Sequence, residues 1–523
     1  MTEKIQLYDS TLRDGMQGVG SHFTLEDKVK LAQLLDRMGV SYIEGGGPGF
    51  NPKDAEFFAR MEKQPLKNAQ LVAFGSTCRT DNIATEDKGL QLLAATSVSC
   101  VCIYGKAWKL HVDKVLGTTP ARNLELVRDS ISFLRKQGKE VFFDAEHFFD
   151  GYADDPAYAL SVVKCAFDAG ASRVFLCDTN GGTDTETVIR ILESPDMKSF
   201  QHIGIHAHND MGMAVANTLA AVRHGADSVQ VTLNGLGERC GNSDLFTVLP
   251  GLQVKLGFAC VPETTLQDLT AYYYKASDIL NMKAFSRAPY VGRDAFSHKG
   301  GAHIDAMLKE SSAYEHMPPE TVGNTRRMVL SEVSGKAAVI SKIEKLLPEL
   351  AVDEAAACTV LERLKDLEFE GFQFEGADAS FELMVRRTLG RNESFFRLID
   401  YKIVAAGRHS SAIVDVWVDE QEEVTAANGM GPVDALDGAF RKALGRFYPE
   451  LNKMRLVDYK VRVLDSNRAT ASRVRVLIES TDGEKSWVTV GVSEDIIEAS
   501  WQALVDAHEY MLYSSNMPKN SGL

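Results

Sequence analysis

His206 and His208 stand two apart in HIGIHAHND. On an extended strand that spacing turns both imidazoles to one side, where neutral rings are suited to a divalent metal. Such a metal needs a third ligand, and Asp14, in the stretch LRDGMQG, offers a carboxylate. Two imidazoles and one carboxylate leave open positions at which a substrate could bind the metal directly. Non-haem iron oxygenases use the same triad, and a histidine pair of this spacing could equally be solvated loop residues. Arg13, beside Asp14, keeps its charge at any working pH. It could clamp a carboxylate, stabilise a developing enolate oxygen, or form a salt bridge to Asp14 or Glu44. Glu146, in FDAEHFF, is either an acid–base group whose pKa the pocket raises or half of an ion pair. The loop GLGERCGN, 235–242, either cradles a phosphate or makes a tight turn.

The elements that must position these residues follow from periodicity. Eight short β-branched or aromatic runs, at 4–9, 40–45, 70–75, 98–104, 140–145, 172–178, 202–207 and 227–233, alternate with longer stretches of helical period. Eight strand–helix units in about 260 residues predict a (β/α)8 TIM barrel. A doubly wound sheet would need a glycine-rich phosphate loop after the first strand, where the chain reads DSTLRDGMQG. In a barrel the working residues stand at the C-terminal strand ends, and here those ends are polar: Asp9, Arg13 and Asp14, Glu44, Asp144 and Glu146, Asp178 and Thr179, then His206 and His208. Closure sets strands 1 and 8 side by side with strand 7 next, so Asp14 falls within reach of the histidines, and the barrel mouth favours the metal reading over the oxygenase and loop alternatives.

From about 265 to 390 the pattern is mainly helical. After about 395 the chain repeats itself: LIDYKIVAAG (398–407) echoes LVDYKVRVLD (456–465), and each is followed by two more strand candidates and a helix. The expected organisation is a catalytic barrel at 1–275, helical connector subdomains at 276–394, an α+β domain of two βββα repeats at 395–515, and a tail at 516–523. With 523 residues, 45% hydrophobic and 25% charged, the chain has the composition of a folded globular protein. A net charge of −15 gives no broad basic surface for nucleic acid. The eight cysteines form no CxxC pair and read as reduced core thiols, and no run approaches the ~18 apolar residues of a membrane span. A cytoplasmic location is expected.

Two stretches carry a resemblance. Leu12-Arg13-Asp14-Gly15-Met16-Gln17 with Lys28, together with His206-Ala207-His208-Asn209-Asp210-Met211-Gly212, resembles the paired signatures of the 2-isopropylmalate, homocitrate and citramalate synthase family. The repeated C-terminal module, with Gly429-Met430-Gly431-Pro432-Val433-Asp434-Ala435, is similar to that family's amino-acid-sensing domain. Within the family, the stretches at 44–58, 104–112, 142–152 and 175–183 resemble the citramalate-forming branch. The resemblance implies condensation of acetyl-CoA with pyruvate to (R)-citramalate and free CoA, the first step of a pyruvate route to isoleucine, with isoleucine as feedback inhibitor. The alternative is the isopropylmalate branch, acting on 2-ketoisovalerate. It further implies a divalent cofactor (Mg, Mn, Zn or Co) on Asp14, His206 and His208 with Asn242 as an additional ligand. Arg13, Glu146, His303 and Tyr314 are implied to be catalytic, the last two acting in the other subunit of a homodimer. Arg13, Tyr104, Asp144 and Thr179 are implied to contact substrate, and Gly429, Gly431, Pro432 and Asp434 to belong to the regulatory site. Carbon–carbon lyases of the same superfamily and a non-enzymatic amino-acid sensor are the competing classes.

Overall fold

The computed structural model describes residues 4–49, 51–329, 336–350, 352–392, 394–406, 409–464, 472–483 and 485–516. All but the first residue of the expected tail lies outside them. The eight predicted strands are all present: β1 (Gln6–Asp9), β2 (Tyr42–Glu44), β3 (Gln70–Ser76), β4 (Cys100–Lys106), β5 (Glu140–Glu146), β6 (Arg173–Asp178), β7 (Ile203–Ala207) and β8 (Ser228–Val231). They pair in parallel, in chain order, and close when β1 meets β8 with Gln6 opposite Ser228 and Asp9 opposite Val231. Only β8 therefore separates the strand that leads to Asp14 from the strand that carries His206.

Side chains alternate along each strand because the pleat has period two. Val101, Ile103, Val141, Phe143, Val174 and Leu176 point outward into the large core beneath the helices. Tyr8, Val72, Phe74, Cys100, Cys102, Phe142 and Phe175 point inward and fill the barrel as a separate cluster. Gly204 on β7 makes room for that filling, since a Cβ there would lie 2.3 Å from the Phe175 ring. The first helix, Leu25–Met38, begins with a reciprocal cap between Thr24 and Asp27 and stops at Gly39, whose φ of 82° suits glycine. Helices Pro120–Lys136 and Pro156–Asp168 start with a one-way cap, the Thr119 or Asp155 side chain accepting a backbone N–H, and proline in the first turn.

The molecule divides into two compact units, one of residues 1–296 and 317–326 and one of residues 297–316 and 327–523. A border at 275 would cut helix Leu269–Ile279, whose Tyr273 and Ala276 are buried in the barrel core. The helices that precede residue 394 pack with the module that follows it. Helices Lys336–Leu346, Glu354–Glu370 and Asp378–Thr388 share one apolar cluster with Val490 of the C-terminal module.

The module is the predicted pair of βββα repeats. Strands Arg397–Ala406, His409–Val418 and Gln421–Gly429 precede helix Pro432–Gly445, and strands Arg455–Val463, Val474–Thr481 and Ser486–Ser493 precede helix Ile496–Asn516. Each forms a three-stranded antiparallel sheet, and even the bulge repeats, between Leu398 and Asp400 and between Leu456 and Asp458. Inner-face residues of both sheets, such as Val414 and Ile478, share a core with Phe440 and Trp501 of the two helices. Among the described residues, all eight cysteines are free and no helix is long and apolar enough to cross a membrane.

Candidate active site

A cavity of about 420 Å3 opens at the C-terminal strand ends, lined from the barrel unit alone by Arg13, Asp14, Asn51, Asp54, Phe74, Tyr104, Asp144, Glu146, Cys177, Thr179, His206, His208 and their neighbours. The loop after β1 is shaped by Asp9. Its buried carboxylate accepts from the Thr11 backbone N–H (2.9 Å) and hydroxyl (3.0 Å), and Thr11 Oγ1 accepts from Leu233 N (2.8 Å). Asp9 is therefore a loop anchor, and the loop it fixes ends at Asp14.

Asp14 Oδ2 lies 3.6 Å from His206 Nε2 and 3.9 Å from His208 Nε2. One ligand atom from each residue falls within 4.8 Å of the other two. His206 is an inward position on β7, and His208, just past the strand end, bridges to Asn242 in the loop after β8. Burial, with His208 alongside, brings the His206 pKa down to about 3, and burial also lowers that of His208, so both rings are neutral. Burial alone would raise the Asp14 pKa, but the Arg13 guanidinium foremost holds the carboxyl below its ordinary value. Asp14 Oδ1 and Asn242 Oδ1 are buried without a hydrogen-bond partner, while Asn242 Nδ2 donates to Leu236 O at 3.0 Å. Buried acceptors without donors are costly unless a positive group meets them, and neutral imidazoles beside an ionised carboxylate are the protonation states that a divalent cation requires. The donor set fits such a cation.

Arg13 bridges the centre to the wall of the barrel. Its Nε donates to Glu44 Oε2 at 3.0 Å, its Nη1 to Asp14 Oδ2 at 3.3 Å, and its guanidinium carbon lies 3.9 Å from the Phe74 ring centroid. Glu44 is fully buried and also accepts from Tyr8 Oη at 3.0 Å. Burial pushes its pKa up to about 7 against the pull of Arg13. Burial works against the charge on Arg13, but Glu44, Asp14 and Asp144 more than restore it.

Asp144 accepts from Gln230 Nε2 at 2.8 Å and from Cys102 Sγ at 3.3 Å, and burial raises its pKa to about 6. Tyr104 stacks on Phe74, centroids 5.6 Å apart. Thr179 Oγ1 accepts from His147 N at 2.9 Å and so retains a hydroxyl proton to donate. Glu146 forms an ion pair with Lys106, which stands opposite it in the β4–β5 register. Lys106 escaped the sequence reading, although aligning the two parallel strand ends would have found it.

A second omission is the anchor of the loop after β2. Lys28, fully buried, donates to Gly45 O (2.8 Å) and Asp54 Oδ1 (2.5 Å). Asp54 Oδ2 in turn accepts from Gly47 N and Asn51 Nδ2, both at 3.1 Å, and Asn51 and Asp54 line the cavity. Gly46, at φ 107°, is required there, because a Cβ would lie 2.4 Å from Asp54 Oδ2. Lys28 was visible as part of a signature, but its partner 26 residues on was not.

The loop at 235–242 turns tightly. The N–H groups of Gly235, Leu236, Gly241 and Asn242 are spent on carbonyls of the same segment or its flanks, and Asn209 N donates to Gly241 O. Arg239 latches the neighbouring loops by bonding Asp210 (2.8 and 2.9 Å) and Thr179 O (2.7 Å).

His303 and Tyr314 belong to the second unit, where their rings stack with centroids 4.3 Å apart and Tyr314 is exposed. Gly429, Gly431, Pro432 and Asp434 form a strand-to-helix turn. Asp434 Oδ2 accepts from Met430 N at 2.8 Å, Pro432 opens the helix, and a Cβ on Gly429 would lie 2.4 Å from Ala435 N. These residues hold the turn together.

Comparison with known proteins matches residues 4–273 to the HMGL-like family, 290–371 to the homocitrate synthase post-HMGL domain-like family, and 375–512 to the LeuA allosteric (dimerisation) domain. The chain is 45% identical to the (R)-citramalate synthase of Aquifex aeolicus, over 98% of each chain. It is 46% identical to that of Synechocystis sp., over 97% of this chain and 96% of the other. The 2-isopropylmalate synthase of Pyrococcus furiosus is 31% identical, over 97% of this chain and 99% of the other.

Proposed function

Since the chain belongs to the HMGL-like family and, within it, to the (R)-citramalate synthases, we propose that it condenses acetyl-CoA with pyruvate to give (R)-citramalate and free CoA. The observation that carries this reading is the near full-length identity of 45–46% to (R)-citramalate synthases, against 31% to a 2-isopropylmalate synthase.

Asp14, His206 and His208 would hold a divalent cation, with the amide oxygen of Asn242 as a further donor. When bound, such a cation supplies Lewis acidity toward the carbonyl of the 2-keto acid. In the reaction a proton leaves the acetyl methyl group, that carbon bonds to the keto carbon of pyruvate, and water then cleaves the thioester to release CoA. Arg13, charged and held between Glu44 and Asp14, stabilises negative charge developing on oxygen. Glu146, oriented by Lys106, assists proton transfer or thioester hydrolysis. Thr179 donates its hydroxyl to the substrate carboxylate, and Tyr104 and Asp144 complete that side of the pocket. His303 and Tyr314 act in the barrel of a partner copy. The homodimer is supported by the dimerisation-domain match and by the exposed apolar side chains of the outer sheet strands, among them Ile399, Val404, Val457 and Val463. The C-terminal module senses isoleucine and inhibits the condensation.

Release of free CoA, read with DTNB, tests the reaction. Pyruvate should outpace glyoxylate, 2-ketobutyrate, 2-ketoisovalerate and 2-ketoglutarate. Preference for 2-ketoisovalerate would return the chain to the isopropylmalate branch, and no release with any of the five would overturn the synthase reading.

A further inference from the structure

The backbone turns sharply at His147, immediately after Glu146 ends β5. Its φ of 57° and ψ of 35° lie in the left-handed region, which histidine tolerates and a β-branched residue does not. The chain is fixed on both sides of this turn. Glu146 stands opposite Lys106 in the β4–β5 register, and Ala107 N donates to Glu146 O at 3.0 Å. Beyond the turn, Gly151 packs so closely on the segment after β4 that a Cβ there would lie 2.3 Å from Ala107 O, and Trp108 Nε1 donates to Asp154 Oδ2 at 3.2 Å. His147 therefore absorbs the change of direction, and the turn sets where its own N–H points. That N–H donates to Thr179 Oγ1 at 2.9 Å. The side chain goes to the same loop. His147 Nδ1 bonds Asp150 Oδ2 at 3.1 Å, and this carboxylate oxygen also accepts from Asn180 Nδ2 at 3.0 Å. The buried imidazole lies against His111, ring centroids 4.0 Å apart, and Trp108 stacks on His111 at 5.3 Å. One residue thus holds two consecutive positions after β6, Thr179 through its backbone and Asn180 through Asp150.

We propose that His147 is a positioning residue for the 2-keto acid: it fixes the Thr179 hydroxyl with its proton toward the substrate carboxylate, and Asp150 is the clamp that holds the turn. A hydroxyl oxygen that accepts from a fixed N–H on one side keeps its proton for the other, and Thr179 lines the cavity whereas His147 and Asp150 lie outside its lining. The inference rests on the reading of Thr179 as the carboxylate donor and extends it to two residues that act through it. A bond to the substrate carboxylate is made alike in the bound and the reacting state, so its loss raises KM and leaves kcat. Two routes converge on one loop. Either the turn or the clamp, once removed, should therefore blunt the same constant.

The test is steady-state CoA release by the intact chain, with KM measured separately for pyruvate and acetyl-CoA and circular dichroism as the check on folding. Thr179→Val removes the donor and should raise the KM for pyruvate about tenfold or more, with kcat and the KM for acetyl-CoA within about threefold of wild type. His147→Val, which opposes the left-handed turn, should do the same. His147→Asn, which tolerates that turn, should return the KM for pyruvate to within about threefold of wild type. Asp150→Ala leaves the turn residue in place and should raise the same KM several-fold. Neither His147→Val nor Asp150→Ala should add to Thr179→Val, because the hydroxyl they aim is already gone. A merely structural residue would lower the unfolding midpoint without separating the two KM values. If Thr179→Val raises the KM for pyruvate and neither His147→Val nor Asp150→Ala does, the positioning role is overturned and the reading of Thr179 stands. Additive effects, or an asparagine variant no better than the valine one, overturn it as well. An unchanged KM in Thr179→Val removes the reading of Thr179 and the inference with it. Should His147→Val not fold, Asp150→Ala and its double with Thr179→Val decide the matter.

Discussion

Replacement of Arg13 by alanine separates two roles that the structure superimposes on one side chain. The guanidinium is the cation paired with Glu44, which is fully buried, and it also reaches Asp14. Removing one partner of a buried pair costs up to ~3–5 kcal/mol, and Glu44, whose pKa burial already lifts to about 7, escapes part of that by taking up a proton. At about 2–4 °C per kcal/mol for a domain of this size, Arg13→Ala should lower the unfolding midpoint by at most roughly 20 °C. If Arg13 also stabilises developing oxygen charge, kcat should fall ~10²–10³-fold on top of any folding defect. The double variant Arg13→Ala/Glu44→Gln distinguishes the two. A neutral amide no longer demands a counter-charge, and it still accepts from Tyr8, so most of the lost stability should return. Activity should not, because nothing replaces the guanidinium near the keto acid. Thermal unfolding and DTNB-detected CoA release on the wild type, both singles and the double supply the cycle. Recovery of activity with stability in the double variant would refute a chemical role for Arg13 and reduce it to a structural cation.

His208→Ala should abolish turnover and lower bound divalent metal to a fraction of a site per chain while leaving the circular dichroism unchanged; metal content equal to wild type would remove His208 from the ligand set. Pyruvate should exceed 2-ketoisovalerate by about ten- to a hundredfold in kcat/KM, since two extra methyl groups overpack a pocket shaped for one at ~1–3 kcal/mol. Gly46→Ala should push Asp54 off Lys28 and loosen the loop that carries Asn51, raising the KM for pyruvate more than it lowers kcat; an unchanged KM would show that this loop does not shape the pocket. Burial raises the pKa values of Asp9 and Glu44 to about 7, above their unfolded values, so the folded state takes up protons that the unfolded state does not, and stability is lost as pH rises through 7. The midpoint of chelator-treated protein should therefore be higher at pH 6.5 than at pH 8, and the opposite order in a scanning calorimeter would mean that these carboxyls are ionised at neutral pH.

What the sequence determined by itself was everything that depends on short-range period. Short β-branched and aromatic runs placed all eight strands within a few positions, and the ordering of strands in a closed barrel was enough to bring Asp14 toward His206 and His208. The echo of LIDY in LVDY gave the paired βββα units, down to a bulge at the same step. Which helices pack back on the barrel was not legible, because Leu269–Ile279 has the same amphipathic pattern as a helix that packs elsewhere. Nor did pattern reveal which partner each buried charge takes. Lys28 finds Asp54, Glu146 finds Lys106, and Asp144 finds Gln230 across the barrel lumen, whereas the pairing of Arg13 with Asp14 and Glu44 was among the sequence expectations. Those choices decide whether a carboxylate anchors a loop, holds an arginine or remains available to substrate. They are settled by which side chains the closed tertiary structure excludes from water together, since an ionised group removed from solvent must be paired wherever in the chain its partner lies.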